Sequence, residues 1–226
     1  MKKVSAARDP AAGPRKPRGR PRSFDREAAL ERAMEVFWKR GYEAASISDL
    51  TEAMGINPPS LYAAFGDKER LFLEAVERYQ AKRGVSCPYA DEATARGAIE
   101  KLLTYMAEEL TASTHPRGCM MMMAATTATN ASPELQAALA RSRAESRERM
   151  RARIDAGIRA GDVPEGTDSG SLADFYSALV AGMSMQARDG ASRKSLLATV
   201  ARGMAIFPVA PKPAARKRQV RSAAAA

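Results

Sequence analysis

Groups able to do covalent chemistry are scarce in this 226-residue sequence: one histidine, His115, and two cysteines, Cys87 and Cys119. A lone imidazole leaves little to titrate near neutral pH. The chain has no Gly-rich phosphate loop, no Gly-x-Ser-x-Gly elbow and no metal-ligand spacing. Glu108 and Glu109 are adjacent, so on a helix they diverge and cannot share a substrate. The expectation is a protein that binds and does not convert: no enzyme, no cofactor, no metal. The two thiols leave a second possibility, sensing of oxidants, electrophiles or a soft metal at Cys87 or Cys119. The densest chemistry is cationic. In Pro17-Arg18-Gly19-Arg20-Pro21-Arg22 the prolines hold the chain extended, and Gly19 lets the backbone approach a minor-groove floor. Arg18 and Arg20 then suit a narrow A·T groove, where the negative potential is strongest. Together with Arg22 they serve equally well for unspecific attraction to phosphates.

The charge sits at the two ends. Residues 1–22 hold eight Lys or Arg and one Asp, and residues 208–226 hold five basic residues and no acid; of the total of +10 this leaves −2 for 23–207. Both ends are rich in Pro, Ala, Gly and Arg without apolar periodicity, which predicts a disordered arm over 1–22 and a disordered tail over 208–226. Basic ends on a near-neutral body point to a polyanion. Nucleic acid is favoured over a membrane, because no amphipathic helix accompanies the charge. With 45% apolar and 27% charged residues the chain is of globular composition. Its longest apolar run, Cys119–Ala125, is far short of the ~20 residues of a bilayer span, and no apolar block marks a secretory signal. A cytoplasmic protein with no membrane partner is expected.

The elements that must position these groups read as helices nearly throughout. One runs from about Asp25 to Arg40 and ends at Gly41. A second runs from Ser46 to Met54, with Ser46 as N-cap and Asp49 three residues on. Gly55-Ile56-Asn57 makes a turn, Asn57 caps a third helix, and Pro58 fits its first position. That helix stops at Gly66, and Asp67 caps a fourth from Lys68 to Lys82. Two helices of about eight residues joined by a three-residue turn have the proportions of a helix-turn-helix. Beside basic ends, this becomes the leading reading.

Gly19-Arg20-Pro21-Arg22, Phe37…Gly41-Tyr42, Ser46-Ile47, Gly55-Ile56-Asn57 and Leu61-Tyr62…Phe65…Lys68-Glu69…Leu71 together resemble the N-terminal domain of TetR-family transcriptional regulators over about residues 19–75. The resemblance implies an all-α fold: a three-helix helix-turn-helix head (23–66) and a helical effector-binding and dimerisation domain (67–207). It implies a homodimer on a double-stranded DNA operator, repressing more often than activating, and released by a small-molecule effector. The chain departs from the family pattern with Ala45 for Thr, Asn57 for Ser and Pro59 for Gly. The first departure is expected to remove a phosphate contact. An architectural, nucleoid-type DNA binder without operator choice is the alternative.

A helix entering the major groove reads base edges near its N-terminus. Here those residues are Asn57, Pro58, Pro59, Ser60 and Ala63, with Tyr62 beside them. None is Arg, Lys or Gln, so direct readout is expected to be modest, with Asn57 and Ser60 donating or accepting and the rest touching apolar groups. By the resemblance Ser46, Tyr62 and Lys68 grip phosphates, and a hydroxyl, a phenol and an ammonium are suitable donors.

Further helices are predicted over Asp91–Ser113, Cys119–Asn130, Pro133–Ala160, Asp168–Ala187 and Ser192–Phe207. The Pro133–Ala160 stretch carries Glu145/Arg149, Arg151/Asp155 and Asp155/Arg159 at i,i+4 spacing and reads as a solvated outer helix. The last two have apolar lines with small residues between, and the resemblance assigns Leu172, Leu179, Val200, Met204 and Phe207 to a two-fold interface. Candidates around an effector are Tyr105, Met106, Leu110, Met121, Met122, Phe175, Tyr176, Met183 and Gln186. They are polarizable and mostly apolar, which suggests an apolar or aromatic effector of modest size. The expected mechanism changes the separation of the two heads through the helix beginning at Lys68.

Overall fold

A computed structural model describes residues 24–84 and 91–210. The arm with Arg18, Arg20 and Arg22, the residue Cys87 and the tail beyond Ala210 lie outside the described residues. Within them the chain forms helices and no strand: α1 (Arg26–Arg40), α2 (Ile47–Met54), α3 (Pro58–Phe65), α4 (Lys68–Gly84), α5 (Ala95–Thr111), α6 (Met120–Thr127), α7 (Pro133–Ala160), α8 (Ser169–Arg188) and α9 (Arg193–Met204).

The head is set by its caps. The Asp25 carboxylate accepts the Glu27 and Ala28 N–H groups at the start of α1. Ser46 and Asp49 exchange side-chain and backbone hydrogen bonds in a complete capping box on α2. Gly55 ends α2 in the left-handed conformation (φ 67°), which turns the chain so that Asn57 can cap α3. A cap of this kind stabilises a helix by about 1 kcal/mol, a sizeable fraction for helices of eight residues that are marginal alone. Packing supplies the rest. Leu50, Met54, Leu61 and Phe65 meet Ala33, Phe37, Leu71 and Phe72 in one core, and each large side chain so buried contributes about 1.5–3 kcal/mol. Arg26 ties three helices at once: its guanidinium holds both Glu74 oxygens (2.6 and 2.7 Å), lies over the Phe65 ring and donates to the Ala64 carbonyl.

The body stacks α5, α7, α8 and α9 with α6 laid across them toward the head. Gly157 of α7 is where α5 comes closest, since a Cβ there would stand 2.5 Å from that of Ala95. Gly203 does the same for α8 and α9, because Leu179 fills the space its side chain would take. Helix α7 is less of a free surface than its charge pattern suggests. Arg151 does pair with Asp155 at 3.7 Å, but Arg149 donates to Ser146, Arg147 reaches Asp174 of α8 at 2.6 Å, and Arg153 donates to the Glu92 carbonyl.

Two of the places where head and body interlock lie at the end of α1 and just after it. The Trp38 indole N–H donates to Gly118 O (3.1 Å), while Arg188 of α8 donates to the Trp38 and Lys39 carbonyls that end α1. Nearby, the Glu43 carboxylate accepts from the Thr129 hydroxyl and the Asn130 N–H, both at 2.7 Å. Gly41, at φ 82°, lies so close to Thr127 that an added Cβ would be 2.6 Å from it.

Candidate nucleic-acid interface

Leu61 and Phe65 turn inward from α3, which leaves Asn57, Pro58, Pro59, Tyr62 and Ala63 exposed on its outer side with Ser60 half-buried between them. Six of the side chains expected to face a duplex therefore share one surface. Capping limits what Asn57 and Ser46 can do. The Asn57 Oδ1 atom takes the Ser60 N–H (2.8 Å), which leaves its amide nitrogen and one oxygen lone pair to offer a base edge. Ser46 is similarly occupied, accepting from the Asp49 N–H and donating to the Asp49 carboxylate at 2.7 Å. Those bonds, and then Arg40 at 2.7 Å, hold the Asp49 carboxyl below its usual range. What α2 presents to a phosphate is its free N-terminal N–H groups, with the Ser48 hydroxyl exposed beside them.

Tyr62 stands out from α3, 48% exposed. Lys68 does not. Its ammonium lies 4.7 Å above the Tyr42 ring and donates to the Glu43 carbonyl, and burial lowers its pKa. It fastens α4 to the α1–α2 loop with one proton, leaving two for a phosphate. Ala45 is fully buried, its methyl group packed in the core of the head. A cleft of about 490 Å³ between Phe24, Glu52, Gly55, Ile56, Asn57 and Ser60 opens where the chain enters from the arm. Ser48 and Arg40 were not singled out in the sequence. A hydroxyl in the first turn of α2 was a usable signal for Ser48, whereas the reach of Arg40 to Asp49 depends on the α1–α2 crossing.

The effector candidates do not converge. Leu110, Met121 and Met183 are buried in the common core, and the Tyr176 hydroxyl donates to Gly203 O (3.2 Å), its pKa raised to about 12 by burial. Phe175 and Gln186 face outward, and Tyr105 and Met106 are half-buried on α5. Of the nine, Met122 alone lines the trough between α6, α7 and α8. The interface assignment needs a similar correction. Val200, Met204 and Phe207 are already covered by their own chain and cannot be covered again by a second one. Leu172 and Leu179 are half-buried. The face that α8 and α9 leave open carries Phe175, Ala178, Gly182 and Met185 with Ala198, Ala201 and Ala205. Cys119 is buried at the head of α6, where the Tyr79 hydroxyl donates to its sulfur at 3.3 Å.

Comparison with known proteins decides what this arrangement belongs to. The family model described as bacterial regulatory proteins, tetR family, matches residues 29–75, and one described as tetracyclin repressor-like, C-terminal domain, matches 95–201. The HTH-type transcriptional repressor ComR of Escherichia coli (strain K12) is 35% identical over 198 residues, 86% of this chain and 94% of ComR. The chain belongs to the TetR family.

Its all-α fold and its standing as a DNA-binding regulator follow, as the helix-turn-helix residues led one to expect. A cysteine mutant of the TetR family regulator CifR, complexed with a 26-bp double-strand operator DNA, superposes with a TM-score of 0.80 at 45% identity, over 84% of this chain and 100% of that one. BdcR of Escherichia coli (strain K12), another HTH-type repressor, is 44% identical over 73 residues, 32% of this chain and 36% of BdcR. No helix among the described residues is long and apolar enough to cross a membrane.

Proposed function

We propose that this chain is a homodimeric, cytoplasmic transcriptional repressor that holds an operator and is released by a small molecule, with no catalytic activity. One observation carries the reading: α3 buries Leu61 and Phe65 and leaves Asn57, Pro58, Pro59, Ser60, Tyr62 and Ala63 on a single open side. In this reading Asn57 and Ser60 touch base edges, and the prolines and Ala63 pack on thymine methyls. Tyr62, Ser46 through its helix N-terminus, and Lys68 hold phosphates. The arm, residues 1–22, adds Arg18, Arg20 and Arg22 from the minor-groove side. Residues 23–66 form the reading head, 67–207 the sensing and pairing body, and 208–226 a basic tail.

The open face of α8 and α9 suits a two-fold partner because its centre is small. Gly182 has nothing within 4 Å of an added Cβ, so a second helix can come close there. Operator half-sites lie about a helical turn or a multiple apart, so a few ångströms of head displacement break the match. The route for that displacement is α4, and the contacts through which α6 and its following loop hold Gly41 and Glu43 add a second path to the head. Selection of bound fragments from the host genome, followed by footprinting, tests the reading. A protected, preferred site supports it, and binding of every fragment alike would place the chain among architectural binders. Removing residues 1–22 is expected to weaken binding and flatten its salt dependence; unchanged affinity and slope would take the arm out of the account.

A further inference from the structure

Helix α7 carries one arginine that its charged neighbours do not explain. Arg143 is half-buried, and its Nη1 atom is enclosed with no hydrogen-bond partner among the described residues. It sits where two hollows meet. One, of about 540 Å³, lies between α6, α7 and α8 and is lined by Met122, Met123, Ala144, Ala178, Ala181 and Met185 among others. The second, of about 450 Å³, continues along α6 and α7 past Ala124, Ala128, Ala137 and Leu139. Ala125 and Arg143 line both, so the two adjoin along α6 and α7 as one trough with Arg143 where they meet.

The charged side chains lining the trough are Arg143, Arg147 and Asp174. Arg147 and Asp174 neutralise each other in a 2.6 Å ion pair, which raises the arginine's pKa further. The net field is that of Arg143. A hollow of this size, mainly apolar between α6, α7 and α8 and more polar towards Thr129 and Gln136, is suited to a small molecule. The Arg143 guanidinium has one nitrogen enclosed without a partner, and the side chain lines both hollows; a carboxylate meets such a planar fork with two parallel hydrogen bonds.

We infer that this trough binds an apolar monocarboxylic acid, a hydrocarbon or aromatic body with one carboxylate, and that Arg143 is the residue that selects for the acid. The inference deepens the reading of the chain as an effector-released repressor and rests on it for its consequence. The apolar or aromatic effector of modest size expected from residue types is thereby specified further, as one that carries a carboxylate. The occupant touches Ala124, Ala125 and Ala128 of α6 and its end, one turn or less from the Thr127 and Thr129 contacts with the head. It also touches Ala178 and Met185, which belong to the open α8 face. Both the head and the pairing face are therefore within its reach.

Calorimetric titration of the full chain with sodium octanoate, sodium 4-phenylbutyrate and the matching neutral amides tests this. At least one acid should bind ten times or more tighter than its amide. Arg143→Gln should remove that preference while still binding the preferred DNA fragment, which shows that the variant is folded. Arg149→Gln, on the exposed side of the same helix, should keep the preference. Amides as tight as acids, an Arg143→Gln variant that keeps the preference, or no binding of either acid by a chain that binds its operator would each overturn the inference. Absence of any preferred DNA fragment, with the acid preference intact, would instead count against the repressor reading and leave the site standing.

Discussion

The indole N–H of Trp38 donates to the carbonyl oxygen of Gly118 at 3.1 Å, joining the end of α1 to the loop between α5 and α6. The ring itself is buried, edge-on to Tyr79 and stacked on His115. Trp38→Phe keeps an aromatic body in that slot and removes the donor, which leaves a buried carbonyl without its partner. Denaturant unfolding should register a loss of about 1–3 kcal/mol. A change within about 0.5 kcal/mol, the usual spread for neutral surface substitutions, would mean that the head is held to the body elsewhere.

Gly41 is a second contact that only one residue type satisfies. At φ 82° and with Thr127 against it, alanine there is both strained and obstructed. Gly41→Ala should cost more than about 2 kcal/mol, as overpacking and positive-φ strain add. In a double-mutant cycle Thr127→Gly should recover part of that cost, the rest being backbone strain. Strict additivity of the two substitutions would contradict the geometry.

The Glu43 contact is pH-dependent with a definite sign. Its carboxyl is held below the ordinary 4.5, first by the Thr129 hydroxyl and then by the Asn130 N–H. Because the folded value is the lower one, the contribution to stability is complete above pH 4.5 and disappears as pH falls through the lowered value. The protection factor of the Asn130 amide, the intrinsic exchange rate divided by the observed rate at the same pH, should therefore be high at neutral pH and fall in acid. Glu43→Gln should lower it at neutral pH and abolish its pH dependence.

Asn57 separates the cap from the reading of DNA. Asn57→Asp keeps an oxygen for the Ser60 N–H but removes the amide donor and adds a negative charge toward the duplex. Its unfolding free energy should stay within about 0.5 kcal/mol of the parent, since Asn and Asp cap about equally. Operator affinity should fall about tenfold or more, the worth of a lost base contact of ~1–3 kcal/mol. Equal loss of stability and affinity would make Asn57 a structural cap alone.

The head was legible because its signals are local. Ser46 with Asp49, Gly55, and Asn57 before Pro58 fix each helix end through bonds spanning three residues, and the predicted ends of α2 and α3 match to within a residue. Interactions set by how helices lie against one another were not legible. The apolar line Val200, Met204, Phe207 is expected at the two-fold interface but is buried within its own chain, because periodicity cannot say whether the covering helix comes from the same chain or another. The surroundings of Ala45 and Lys68 were not legible for the same reason: one is packed into the core, and the other is drawn to Glu43 and Tyr42 across 25 residues of sequence. Arg143 was hidden among the arginines of a charged helix, and only the positions of α6 and α8 around it reveal that it differs.

Hydrogen exchange of the full chain, followed by mass spectrometry with and without its selected DNA fragment, asks most directly whether α2 and α3 lie on the duplex. Peptides covering 46–63 should slow strongly on binding, while those covering α8 and α9 should change little at constant oligomeric state. Unchanged exchange over 46–63 in a saturated complex would contradict the assignment of this face to DNA.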